Sequence, residues 1–566
     1  MIISKIIRLG VNQNILVQAK RILSFCLSKH ASLYSILFGT LAFLWFVGFH
    51  ALNPRNTTWI YNGFNSDPIT HYLGWLFFKD SRQGWSVPIG ANPNYGLEIS
   101  SSVVYSDSIP LMAILGKIIA PAIVNNFQYF GIWLLICFML QTYFSFKIIK
   151  LFTENLLLCC FASSLFSALP MFLWRIQAHI ALTSHFLVVW AIYLILKLFK
   201  HRKDQSGQWL ALLIISSLVH PYLLAMILAL WLGAFASLLS LGLNHWRRNF
   251  MILLVTVIGL ALSCFLIAGY DLSNTNSKAG TSVEFGTYRW NLLAPLVSYG
   301  FSLFFSSLQA NSGNFESYTY LGAGFWFIFA IVLKEFRRSS LLSFKTLLRF
   351  KWVTLILVCL TLLSITHKVA IGSLRLEFHL PVILIEPLSI FYASARFIWP
   401  TIYFILFFLL LYLIKSFRTK TTVTLIAIAL IVQVVDTYPL ARELRSFTTN
   451  SNFPTNKYLE NELLIEKVRG KYKKLVVILN EDKIVQGFPD LTLFAYELGM
   501  GTNSVYLSRV DENMFANYRQ KLENQINLKD FSQDTVYVAF GEELKFTTVD
   551  QKFEIISVSG VDFLLP

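Results

Sequence analysis

The sequence predicts an all-α polytopic membrane protein with about eleven transmembrane helices and a small C-terminal α/β domain outside the membrane. Three observations carry that prediction. The 566-residue chain is 55% hydrophobic and only 14% charged, and its mean hydropathy of +0.58 lies outside the range of ordinary soluble domains. Apolar runs near membrane-crossing length recur up to residue 440, and beyond it the composition becomes charged and strand-forming.

The N-terminal segment, 1–31, carries Lys5, Arg8, Lys20, Arg21 and Lys29 without a compact apolar core and small-residue cleavage site. No cleavable signal peptide is expected, and the first spanning helix stays in the mature protein. A helix needs about 20 apolar residues to cross the hydrocarbon core. Runs of that order occupy 32–52, 128–147, 155–174, 179–199, 250–270, 320–333, 351–366, 397–414 and 421–440, the shorter ones extended by their flanks. Between them, 208–243 is an apolar block broken by His220-Pro221. Proline removes a backbone donor and clashes with the preceding turn, so the block suits two short helices or one long kinked one.

Loops rich in Lys and Arg stay on the cytoplasmic side. With 208–243 read as a hairpin, the N-terminus and the loops 147–154, 197–207, 244–249, 334–351 and 415–420 hold 22 Lys/Arg against 3 acids. The outer loops hold 10 against 10, and the tail 15 against 18. The net charge of +16 is thus an orientation signal, with the N-terminus inside, rather than the footprint of a nucleic acid. The six cysteines lie in or beside apolar runs with no CxxC or Cys/His spacing. They read as small buried hydrophobes, with neither a disulfide framework nor a zinc site.

Three long outer loops follow from this topology: 53–127, 271–319 and 367–396. The first contains amphipathic stretches at 68–79 and 108–120 that are expected to lie on the membrane surface, with Trp59, Trp75, Trp85, Tyr105 and Tyr129 suiting the interfacial belt. In the tail, 441–566, period-two strands appear in KLVVILN, TVYVAFG and FEIISVSGVDFLL, with a helix-like LTLFAYELGMG between the first two. No GxGxxG, P-loop or triad spacing occurs there, so the chemistry is assigned to the membrane part.

Ionisable groups in the outer loops are the candidates for that chemistry. Asp67-Pro68 in NSDPITHYLGWLFF reads as a helix start, with Asp at the N-cap and Pro at the first helical position. Asp107 in SSVVYSDSIPLM repeats the arrangement, with Ser108 able to cap. Capping does not exclude catalysis, because the helix dipole keeps a carboxylate ionised, as a general base or metal ligand must be. Asp67 and Asp107 are therefore the candidate catalytic acids. His71, Glu98, Tyr105, Arg289 and Arg396 are candidate substrate-binding residues. Arg396 in FYASARFIWP stands at the mouth of a spanning helix, where it could grip a phosphate with two hydrogen bonds or snorkel to headgroups. Lys368, Arg375 and His379 share its loop and would complete an anion seat. Arg175 has a weaker claim. His179 and His185, at i and i+6, do not share a helix face, which counts against a metal pair. His220 reads as a kink or packing residue. Glu316 and Asp271 either line the cavity or are solvated. Asp436 closes the last helix and needs a partner. A divalent metal ion between Asp67 and Asp107 is left open, since no ligand spacing supports it.

Together NSDPITHYLGWLFF, PNYG with SSVVYSDSIPLM, FQYFGIWLLICFMLQ, SSLVHPYLLAMI, ASARFIWP and QVVDTYP resemble an uncharacterised family of bacterial multi-pass proteins, related by architecture to the GT-C superfamily of membrane glycosyltransferases. The resemblance covers about residues 30–440. It implies transfer of a sugar from a polyprenyl-phosphate carrier to a glycan, lipid or protein acceptor on the outer side of the bacterial inner membrane. By position, Asp67 corresponds to the first-loop acid that acts as general base or organises the acceptor, Asp107 to a second acid, and Arg396 to the group that holds the carrier phosphate. A tandem acidic pair directly after helix one, found in several GT-C families, is missing here. Two other readings stay open: a transporter or flippase of a lipid-linked glycan, and a non-catalytic envelope assembly protein.

Overall fold

Apolar helices dominate the chain up to residue 449, and the tail adds a mixed sheet. The computed structural model describes residues 31–61, 67–81, 87–99, 102–123, 126–270, 285–305, 314–336, 350–449, 455–478, 487–507, 512–528, 530–540 and 553–566. Among the described residues, six helices are long and apolar enough to cross a membrane: Phe130–Lys150, Ile180–His201, Pro221–Ser240, Trp246–Ala268, Ser394–Ser416 and Thr419–Asp436. A seventh span results if Leu156–Ser167 and Pro170–Ile176, bent by 49° at Pro170, count as one. The remaining apolar runs form shorter helices, among them Ser32–Phe46, Ser206–Ser217 and Lys351–Ile365. By length and composition, then, six or seven of the described helices qualify, because turns and 3-10 segments take up part of several runs. The 208–243 block is two helices that pack on each other, broken where the His220 ring accepts the Tyr222 amide and caps Pro221–Ser240.

The outer surface of these helices suits lipid. On Trp246–Ala261 only Thr256 is buried, while Phe250, Leu254, Val257 and Ile258 point outward. The core between helices is aromatic, with Phe166 stacked on Phe407 at 4.1 Å and Phe138 edge-on to Phe172 at 4.9 Å. Two polar residues inside it, Gln433 and Asp436, find several partners each, as an apolar medium requires. The Gln433 amide accepts from the Gly324 and Phe325 N–H groups and donates to the Ala168 and Leu321 carbonyls. Asp436 finds its partners in the Tyr320 hydroxyl and the Ala323 N–H, both at 2.8 Å, which start the Ala323–Phe336 helix. The five cysteines among the described residues are free thiols; Cys26 lies outside them, as does Asp271.

The first loop departs from expectation. Its helix Asp67–Lys79 does not lie on a surface, because every residue from Pro68 to Phe78 is buried. The reason is that the tail covers one side, where Phe77 meets Tyr496, and the rest of the first loop covers another, where Gly74 meets Ser106. The second amphipathic stretch forms Pro110–Ile119, which does keep an apolar exposed face at Leu115, Ile118 and Ile119.

In the tail, strands β3 (Lys474–Val477), β4 (Gly501–Thr502), β5 (Thr535–Phe540), β6 (Glu554–Val558) and β7 (Val561–Leu565) form one sheet in the order β4-β3-β5-β7-β6. A separate hairpin, β1 (Lys368–Ile371) with β2 (Leu374–Glu377), belongs to the 367–396 segment. Parallel pairs need crossovers, and Phe488–Glu497 joins β3 to β4 while Glu512–Asn527 lies between β4 and β5. Gly499, at φ +74°, ends the first of these helices, as LTLFAYELGMG predicts. The sheet continues into the first loop: Gly96 N–H donates to Thr502 O at 2.8 Å, and Thr502 N–H donates to Asn94 O at 3.0 Å. Lys521 pairs with Glu98 at 2.6 Å, Tyr496 bonds Asp80 and Asn126, and Phe77 packs on the Tyr496 ring.

Candidate functional site

Ionisable side chains from six separate segments meet at one end of the spanning helices. The Ile180–His201, Pro221–Ser240 and Ser394–Ser416 spans begin here and the bent Leu156–Ile176 pair ends here, so His179, His220, Arg396 and Arg175 stand at helix termini. At the centre is Glu316, 4% exposed. Arg396 holds it through Nε at 2.9 Å and Nη2 at 2.7 Å, and Arg175 through Nη1 at 2.9 Å. Burial opposes the Glu316 charge, but Arg396 and Arg175 prevail and hold its carboxyl well below the usual range. Both guanidinium groups also sit over aromatic faces, Arg175 on Trp399 and Arg396 on Tyr222.

From Glu316 the cluster extends to the first loop through His179, whose Nε2 lies 3.3 Å from Glu316 Oε1 and 3.7 Å from Asp67 Oδ2. The His179 ring lies nearly parallel to that of His71, centroids 6.5 Å apart. Asp107 completes the group, with His220 Nε2 3.6 Å from its Oδ1. Only Asp67, Asp107 and His179 reach solvent, each side chain about one-fifth exposed, so they mark the open side.

The local sequence explains how the first loop delivers its two acids. Asp67, His71 and Gly74 fall on one face of their helix. A Cβ on Gly74 would lie 2.2 Å from Ser106 Oγ, so glycine lets the 102–109 segment press against that face. Ser108 Oγ then donates to the His71 carbonyl at 2.6 Å. Asp107 and Ile109 both adopt left-handed φ, +51° and +54°, which is tolerable for Asp and strained for a β-branched residue.

These contacts correct several expectations. Ser108 does not cap the following helix, whose N-cap is Ile109 without a side-chain bond, and Asp107 is aimed at the cluster instead. Asp67 lies within its helix rather than before it. Burial, against the pull of His179, raises its pKa, so the dipole does not dominate. Burial and His179 together push the His71 pKa down to about 3, leaving a neutral imidazole. Arg396 gives Glu316 the edge expected to hold a phosphate. Of the other cations in that loop, Lys368 and Arg375 sit on the β1–β2 hairpin, with Lys368 paired to Glu377. Arg289 is turned to backbone carbonyls at Gly286 and Thr287, with Arg375 and Glu377 as its charged neighbours. Glu98 is spent on Lys521. Tyr105 is partly buried two residues before Asp107, close to Tyr270.

The tail also reaches the site. Burial first, then the charges of Tyr392, Asp67 and Asp107, raise the Tyr506 pKa, so this tail residue lies within electrostatic reach of both acids. A separate cavity of about 340 Å³, lined by Tyr61, Tyr72, Arg469 and Glu497 among others, lies where the tail meets the opposite face of the Asp67–Lys79 helix. Sequence reading undervalued Arg175, His179, His220 and Glu316. Their only signal is position, at the ends of apolar runs, and nothing local tells which of them share an end.

This arrangement defines a class: a polytopic helical protein of the kind that spans membranes, with a charged site at one end of its helices beneath a small sheet domain. The chain belongs to a family described as a domain of unknown function (DUF6311), whose model matches residues 36–438. Residues 464–565 match the model of that family's C-terminal domain. No curated protein matches the chain, and no solved structure does.

Proposed function

We propose that this protein is a membrane glycosyltransferase, moving a sugar from a polyprenyl-phosphate carrier to an acceptor on the outer side of the bacterial inner membrane. The observation that carries the reading is the convergence of Asp67 and Asp107 on one partly open, otherwise buried cluster at the ends of the apolar helices. In this reading the shorter helices Ser32–Phe46, Ser206–Ser217, Ala323–Phe336 and Lys351–Ile365 cross as well, which gives eleven spans with the N-terminus inside and the tail outside. The GT-C likeness of the sequence supports the reaction class.

Asp67 takes the proton. The acceptor hydroxyl oxygen attacks the anomeric carbon, the bond from that carbon to the phosphate oxygen breaks, and the polyprenyl phosphate leaves with the electron pair. A carboxyl whose pKa is raised by burial is a better base than a solvated one, because catalytic efficiency rises as the pKa approaches the working pH. Arg396 acts through Glu316 and so as a positioning residue. A bent span and the break at His220-Pro221 favour the alternative, a flippase of a lipid-linked glycan.

One substitution separates the two. Asp67→Asn keeps the size of the side chain and removes the base. Membranes carrying the variant at normal abundance, supplied with a radiolabelled polyprenyl-phosphate-linked hexose, are expected to transfer sugar about 10²–10⁴-fold more slowly. Unchanged transfer removes Asp67 from the role of base, and label that crosses the membrane without transfer in the native protein favours the flippase.

A further inference from the structure

We propose that His71, Asp107 and His179 form a binding site for a divalent transition-metal ion, with zinc the best fit, and that Glu316 and His220 orient its ligands. The proposal stands independently of the sugar-transfer reading. One donor atom from each of the three residues lies within 4.8 Å of the others, although the residues come from three separate segments. A zinc ion takes nitrogen and oxygen donors at about 2.0–2.2 Å, so the trio closes slightly around it on binding.

A second observation points to the ligand. His71 is 2% exposed, and its Nδ1 is buried with no hydrogen-bond partner; the His179 Nδ1 is likewise buried and unpartnered. Buried polar atoms in native proteins are almost always satisfied, and two bare imidazole nitrogens at one site are what a bound cation resolves. The surroundings match the pattern in which a carboxylate fixes a metal-bound histidine. Glu316, its carboxylate locked by two arginines, faces His179 Nε2 with its Oε1 at 3.3 Å. The His220 Nδ1 accepts the Tyr222 N–H, which puts the His220 proton on Nε2, the atom facing Asp107. The local charge also favours a cation, since Asp67, Asp107 and Glu316 outnumber Arg175 and Arg396. Two imidazoles select a transition metal over magnesium or calcium. Three protein ligands leave a position open for water, and Asp67 lies against the other nitrogen of His179, Nε2, at 3.7 Å. This site differs from the one the sequence leaves open, an ion between Asp67 and Asp107: it uses the histidines, and Asp67 flanks it.

The test uses the full chain in detergent, stripped with a chelator and titrated with Zn²⁺ by calorimetry and with Co²⁺ by visible absorption. The expected result is one saturable ion per chain, with Zn²⁺ displacing Co²⁺ and excess Mg²⁺ displacing neither. Glu316→Gln should weaken binding about 10–100-fold, and His71→Gln, Asp107→Asn and His179→Gln more than that. His245→Gln, an exposed histidine elsewhere on the chain, should bind as the native protein does. Size-exclusion profiles and thermal melts identify variants that fail to fold, and for those the Co²⁺ spectrum of the native chain decides between nitrogen-ligated and purely aqueous cobalt. Absence of saturable binding, an aqueous Co²⁺ spectrum, or native affinity in folded His71→Gln and His179→Gln overturns the proposal.

Discussion

Glu316 is the residue on which most of the site depends. It is buried with two arginines, one of them 141 positions earlier in the chain and the other 80 positions later, and breaking such a group by removing one partner strands charge in a low-dielectric interior. Glu316→Gln is therefore expected to destabilise the folded chain by about 3–5 kcal/mol, read as a lower thermal midpoint in detergent. A midpoint equal to that of the native protein would mean that the arginines find water or another partner. Nothing in GNFESYTYLGAG announces this role, because the partners are supplied only by folding. Asp436 differs: its place at the end of an apolar run already demanded a partner, and the fold provides the Ala323 amide and the Tyr320 hydroxyl.

Among the elements, the Asp67–Lys79 helix matters most, since it carries Asp67 and His71 and receives the loop that carries Asp107. Gly74 makes that contact possible. Gly74→Ala should cost about 1–3 kcal/mol through overpacking, because the new Cβ meets Ser106 Oγ and Cβ at 2.2 and 2.4 Å. The double variant Gly74→Ala with Ser106→Gly should recover part of that loss, as coupled neighbours do, and chemical or thermal unfolding of the four proteins measures it. Additive effects would argue that the two positions do not touch. The helix itself is legible in DPITHYLGWLFFK from its Asp-Pro start, yet its burial is not. An amphipathic pattern reports that one face is apolar, not whether lipid or protein covers it.

Over the whole molecule, the tail is joined to the first loop by main-chain hydrogen bonds at β4 and brings Tyr506 within electrostatic reach of the acids. Thr502→Pro deletes the N–H that donates to Asn94 O, and the tail should then loosen. Hydrogen exchange at Gly96, whose amide donates to Thr502 O, is expected to speed up while amides inside the Phe130–Lys150 span keep their protection. Unchanged exchange at Gly96 would mean that other contacts alone hold the tail. The sequence by itself determined the helical, lipid-suited body, the change of character after residue 440 and two of the acids, because hydrophobic length, composition and helix starts are local properties of the chain. It also pointed to Arg396, but for a phosphate. Only the tertiary structure decided that Arg396 serves Glu316, that Glu98 serves the tail and that His71 and His179 meet. Which charges share a buried site depends on contacts between residues far apart in sequence, and those exist only once the helices have packed.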